Sequence, residues 1–196
     1  DFIGDANVCL ILGDNIFHGD GFSDKLKNAL KNLDESYSTI FSVEVNNPKD
    51  FGVIEFDDDN NVDKIIEKPS ETNSSHIVSG LYFYDNNIIK ISNTIKPSKR
   101  GELEITDINN YYLKNKKLKV IKLNKSFYWS DTGTYDSLIK ASKFFQEYEE
   151  FTGNKISCIE EIALSKGYIS KEKYEKIAYS MALSNYGKYL ISKIKD

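Results

Sequence analysis

Apolar and polar positions fall into short blocks along this chain, each with the length of a strand or a helix. Val8 to Leu12 form an unbroken apolar run that stops at Gly13, Asp14 and Asn15. Such a run reads as a strand buried on both faces of a parallel sheet. Residues 21–33 place Leu26, Ala29, Leu30 and Leu33 on one helical face, with Ser23 positioned to cap it. Residues 37–45 alternate in β-rich side chains and predict a strand, and residues 51–56 and 62–69 flank the turn-forming DDDNN to predict a hairpin. Residues 77–84 are another apolar strand, followed by a short helix over 85–95. Residues 103–115 have helical spacing through Leu103, Ile108, Tyr112 and Leu113; residues 117–123 alternate, and FYWSDTGT ends a strand in polar residues. The longest helix is expected over 134–151, with Thr134 at its cap, and short helical pieces without strand signal follow from 152. Strands and helices interleave, which predicts an α/β fold with a mixed, largely parallel sheet flanked by helices. Residues 1–151 form the core on this reading and 152–196 a helical tail.

Composition narrows the function classes. The 196 residues are 40% hydrophobic and 13% aromatic, enough for a packed core. The formal net charge is −4 with both signs interspersed, so no nucleic-acid footprint is present. The basic stretch over 113–125 reads as a solvated helix end and strand face. No run approaches the roughly 18 apolar residues of a membrane span, and no signal-peptide pattern occurs. Cys9 and Cys158 form neither a CxxC nor a disulfide framework, so a reduced, cytoplasmic setting is expected. The chain enters its first strand almost at once, and a buried parallel strand needs neighbours on both sides; the expectation is that polypeptide precedes residue 1.

Two carboxylates stand where apolar strands stop. Asp14 follows the run at 8–12, and Asp131 ends FYWS before Thr132, Gly133 and Thr134. Ligands of α/β sheets sit beyond strand carboxyl ends, and two such aspartates can converge on one divalent cation. The same letters also read as an Asx turn and an ordinary strand-turn-helix. Between them, Pro69 ends the IIEKPS strand and presents Glu67 beside Lys68, one to accept sugar hydroxyl hydrogens and one to meet an anion. A surface ion pair explains that dipeptide as well. Arg100, Glu102 and Glu104 cluster around Gly101, where Arg suits a carboxylate or phosphate, or caps the next helix.

The ordered set LILGDNIF, FGVIEF, IIEKPS, SGLYFYD, RGELEITDIN and WSDTGTYDSL closely resembles the sugar-nucleotidylyltransferase family, and within it the glucose-1-phosphate thymidylyltransferases, or dTDP-glucose synthases. The resemblance implies a Rossmann-like nucleotide-diphospho-sugar transferase fold that forms dTDP-glucose and pyrophosphate from dTTP and glucose 1-phosphate with Mg²⁺. It implies catalytic roles for Asp14, Asp131 and Lys68, with Asp14 and Asp131 as the Mg²⁺ ligands. Asn15, Gly52, Glu67, Val78, Tyr82 and Glu102 match sugar-contacting positions, Gly52 and Val78 through backbone. Lys68 and Arg100 match positions near the sugar phosphate, and Trp129 walls the sugar pocket or packs in the core. Relatives are commonly tetramers, so a homo-oligomer serving a dTDP-rhamnose-type pathway is expected.

The departures matter as much. The family's glycine-rich nucleotide loop, of the type GGxGTRLxPxT, has no counterpart in these residues, and GDNIFHGDGF does not match it. The expectation is a chain carrying the sugar and metal half of the site, inactive by itself; the alternative is a non-catalytic paralogue that binds sugar phosphate or an active subunit. Ser130 replaces a usual apolar residue, HGDGF replaces YGHGL, and His18 takes no role.

Overall fold

The computed structural model describes residues 2–194, and the chain divides into two compact units, residues 1–138 and 139–196. That division falls inside a helix, where the sequence pattern places the boundary at 151/152.

In the first unit a six-stranded sheet is built around β6 (His76–Tyr84), whose residues are buried apart from the half-buried His76. One side of β6 is paired along its length by β3 (Ser38–Glu44). Its other side is shared. The start takes β4 (Gly52–Phe56) through Val53 opposite Ile77, and the end takes β1 (Val8–Ile11) through Val8 opposite Tyr84 to Ile11 opposite Leu81. β5 (Val62–Glu67) completes the hairpin with β4, and β7 (Leu118–Lys122) lies beyond β3. The mixed α/β sheet matches the expectation, but the parallel majority does not. Among the described residues β3–β7 is the parallel pairing and the others are antiparallel. An apolar run reports burial, not the direction of the neighbouring strand.

Two helical layers cover the faces. Ala29 and Leu33 of α1 (Phe22–Asp34) pack against Phe41, Val43, Val53, Ile77, Leu81 and Phe83. On the other face, α2 (Ile88–Ser92) supplies Ile91 and α3 (Ile105–Lys114) supplies Ile108 and Tyr112, against Ile40, Ile54, Ile65, Val78, Tyr82 and Tyr84. α1 is capped by Gly21 in the left-handed conformation, not by Ser23, which lies inside its first turn. The expected burial of residues 8–12 also fails. Ile11 is 52% exposed, because β1 pairs only with β6 among the described residues and its outer edge is open.

A second, two-stranded sheet pairs β2 (Asn15–His18) with β8 (Tyr128–Asp131), antiparallel, with Asn15 opposite Asp131. α4 (Tyr135–Thr152) begins in this unit, where the Ser137 N–H donates to Thr134 Oγ1 as expected of a cap. In the second unit Cys158, Tyr174, Ala178 and Leu190 form a core among α5 (Ile159–Ser165), α6 (Lys171–Ser180) and α7 (Asn185–Ser192). Ser170 and Ser184 cap α6 and α7. Gly187 must be glycine, since a Cβ there would lie 1.9 Å from the Met181 carbonyl oxygen. Among the described residues no helix is long and apolar enough to cross a membrane.

Candidate functional site

The β2–β8 pairing brings together what the sequence keeps over a hundred positions apart. Asp14 directly precedes β2 and Asp131 ends β8. Around the place a Cβ on Gly133 would occupy, Asp131 Oδ1 lies at 2.9 Å and Asp14 Oδ2 at 3.7 Å, so both carboxylates face one small volume. Each is oriented by a neighbour. The Gly133 N–H donates to Asp131 Oδ1 at 2.8 Å, and the Asn15 side-chain amide donates to Asp14 Oδ1 at 2.9 Å. The backbone is tied as well: the Thr132 N–H and its hydroxyl both donate to the Asp14 carbonyl, each at 2.8 Å.

Among the described residues no group of three or more His, Cys, Asp or Glu side chains forms a metal cluster. Two convergent carboxylates are too few to build a closed Ca²⁺ cage. They suit a hard cation that keeps water and shares ligands with phosphate, as Mg²⁺ does, so the donor set fits the expected metal.

A second group surrounds Glu67. Its Oε2 accepts from the Thr106 hydroxyl at 2.5 Å, and its Oε1 is 3.7 Å from Arg100 Nη1. Gly52 stands opposite Glu67 in the hairpin. A Cβ on Gly52 would lie 3.1 Å from Thr106 Oγ1, 3.4 Å from Glu67 Oε2 and 3.6 Å from Val78 Cγ2, so glycine lets the backbone come up to this carboxylate. Arg100 does not stand alone facing an anion site. Its guanidinium also meets Glu102 at 2.8 Å and Glu104 at 3.5 Å, and Ser98 donates to Glu104 at 2.7 Å. Three carboxylates therefore hold one arginine.

Lys68 is exposed, and its N–H donates to the Phe51 carbonyl. Its φ of +39° is in the left-handed region, which is unfavourable for a residue with a Cβ and doubly so before Pro69. A strained residue of this kind persists only where its surroundings hold it.

β6 joins the two groups. Val78, Gly80 and Tyr82 lie on one face by strand alternation. Val78 meets the Gly52 position, while Gly80, at φ +82°, has the Asn15 amide against it, 3.0 Å from where a Cβ would be. Burial, with the charge of Glu67 adding to it, pushes the Tyr82 phenol far above its usual pKa, so it stays protonated and able to donate. Trp129 donates its indole N–H to the Ser79 carbonyl at 2.9 Å and meets the Phe51 ring edge-on at 5.6 Å. It therefore packs between the hairpin and β6.

Thus Asp14, Asn15 and Asp131 come together, as do Gly52, Glu67, Val78, Arg100 and Glu102, with Tyr82 beside them and Lys68 at the rim. The sequence reading misses Gly80, Thr106, Thr132 and Gly133 as members of these groups. SGLYFYD, RGELEITD and DTGT carried them, as residues next to the ones singled out.

Comparison with known proteins gives the family of the chain. The nucleotidyl transferase family matches residues 1–148. A glucose-1-phosphate thymidylyltransferase of Neisseria meningitidis serogroup A is 45% identical over 195 residues, covering 100% of this chain and 67% of that protein. One from Xanthomonas campestris pv. campestris is 43% identical over 195 residues, with 65% of its length covered. A Bacillus anthracis crystal structure assigned as a glucose-1-phosphate thymidylyltransferase, in complex with sucrose, superposes with a TM-score of 0.62 at 37% identity, over 74% of this chain and 56% of that one. The chain spans about two thirds of the length of the curated relatives it matches. With the family matched over residues 1–148 and relatives at 43–45% identity, this chain belongs to the nucleotidyl transferase family.

Proposed function

We propose that the protein acts in the formation of dTDP-glucose and pyrophosphate from dTTP and glucose 1-phosphate, with this chain supplying the sugar and metal half of the site. The observation that carries the reading is the convergence of Asp14 and Asp131 across the β2–β8 pair. In the reaction a phosphate oxygen of glucose 1-phosphate attacks the α-phosphorus of dTTP and pyrophosphate departs in line. Such transfers depend on positioning and charge neutralisation more than on covalent help from the protein. Asp14 and Asp131 hold Mg²⁺, which neutralises phosphate charge when bound.

The residues of this chain do the rest of the positioning. Glu67, its carboxylate set by Thr106 and Arg100, accepts hydrogens from sugar hydroxyls. Gly52 and Val78 offer backbone to the sugar, and Asn15, Tyr82 and Glu102 add polar contacts. Lys68 meets the sugar phosphate as a point charge, while Arg100, its charge met by Glu67, Glu102 and Glu104, orients those carboxylates beside it. The reading takes the protein to be cytoplasmic, on the ground of the two free cysteines, Cys9 and Cys158, and carries homo-oligomerisation and a dTDP-sugar pathway from the family resemblance.

Calorimetric titration of the chain with glucose 1-phosphate in the presence of Mg²⁺ tests the reading. Binding is expected, weakened about tenfold or more in Glu67→Gln, since an ionised acceptor contributes roughly 1.5–3 kcal/mol. No binding by the wild-type chain overturns the sugar-site assignment. Pyrophosphate release by this chain alone with dTTP or UTP overturns the half-site part of it.

A further inference from the structure

We propose that Thr132 is a positioning residue of the metal pair, holding Asp14 at coordinating range of Asp131; this rests on the metal reading above. The β2–β8 register runs from His18 opposite Tyr128 to Asn15 opposite Asp131. One step further, Asp14 faces Thr132. There the Thr132 N–H continues the ladder to the Asp14 carbonyl at 2.8 Å, which any residue except proline could do. The hydroxyl adds a second donor to the same oxygen, also at 2.8 Å. A carbonyl oxygen has two lone pairs, and this one has both engaged by a single residue. Thr132 is covalently bonded to Asp131, so the backbone of Asp14 is fixed to the residue adjoining its partner carboxylate.

The need for a second bond follows from where the pair sits. It is the last position of a two-stranded ribbon of four-residue strands, the place at which pairing frays. Asp14 is exposed and Asp131 half-buried, so packing does little to hold them. Side-chain orientation is set separately: Asn15 takes Asp14 Oδ1 and Gly133 takes Asp131 Oδ1. Those two bonds aim each carboxylate, while the Thr132 clamp sets the distance between the two Cα positions. The β-branch of threonine, stiff at χ1, keeps the hydroxyl on the carbonyl.

The test reads metal binding directly. Free Mn²⁺ is followed by electron paramagnetic resonance as it is titrated into the chain and into Thr132→Val, Thr132→Ser and Asp131→Asn, with thermal melts of all four. The wild-type chain binds Mn²⁺ and Asp131→Asn does not. Thr132→Val keeps shape and N–H but loses the hydroxyl, and binds about three- to tenfold more weakly, the weight of one hydrogen bond. Thr132→Ser restores binding to within about twofold, as a replaced hydroxyl should. Where Thr132→Val melts early, Thr132→Ala makes the same comparison. Binding by the valine variant equal to wild type, with Asp131→Asn silent, overturns the role of Thr132 and leaves the metal pair standing. Equal weakening by valine and serine overturns it too, because packing and not the hydroxyl is then at work. No Mn²⁺ bound by the wild-type chain at millimolar concentration overturns the metal reading and this inference with it.

Discussion

Gly80 sits where a side chain would meet two penalties. Its φ of +82° is one that residues with a Cβ avoid, and the Asn15 amide lies 3.0 Å from the position a Cβ would take. Gly80→Ala should therefore destabilise the protein by about 1–2 kcal/mol through backbone strain and push the Asn15 amide away from β6. A denaturant melt reads the first effect and weakened glucose 1-phosphate binding the second. An unchanged melt would mean the backbone relaxes without cost. Little of this residue-level detail is legible in the chain. GLYFYD reads as a strand with a glycine in it, and nothing local says that an asparagine from sixty-odd positions earlier packs on that glycine. Glu67 and Lys68 are different. Pro69 cannot continue a ladder, so the strand end at Glu67 and the exposed Lys68 after it follow from local chemistry.

At the level of elements, the β3–β6 pairing carries a histidine that makes the fold sensitive to acid. His76, opposite Glu44, has Nδ1 3.4 Å from Ser42 Oγ and Nε2 3.7 Å from Glu44, and its ring meets Phe56 edge-on. Burial, joined by the Lys122 ammonium, holds the imidazole pKa below 6.5, and Glu44 opposes this without reversing it. The unfolded chain then takes up a proton more readily than the folded one. Stability from this group is full above pH 6.5 and is lost as pH falls from there through the lower folded value. Chemical denaturation at pH 7.5 and at pH 5.5 should show the loss, and His76→Gln should flatten it. A slope unchanged by that substitution would assign the acid sensitivity to other groups. The strands β3, β4, β5 and β6 are all legible to within a residue or so at their starts, because alternation marks β3, an apolar run marks β6, and the DDDNN turn sets off β4 and β5. β2 is not, since four residues following Gly13 and Asp14 carry no period of their own.

At the scale of the whole molecule, the outer edge of β1, unpaired among the described residues, is the feature with the largest consequence. Leu10, Ile11 and Leu12 are exposed along it, and an unpaired apolar edge invites pairing with another chain. Sedimentation velocity of this chain should show association that grows with concentration, and Ile11→Lys should reduce it; a wild-type monomer at all concentrations would remove the edge as an association site. The apolar run at 8–12 was legible as a strand, and its exposure was not. Local periods, caps and turn residues depend on neighbours within a few positions, so the sequence by itself determined most of the elements, the hairpin at DDDNN and the residue types of the site. Strand direction, the sharing of one side of β6 between β4 and β1, and the meeting of Asp14 with Asp131 depend on which distant backbone groups find partners. Alternation along a strand is the same for parallel and antiparallel neighbours, so only the packed structure decides between them.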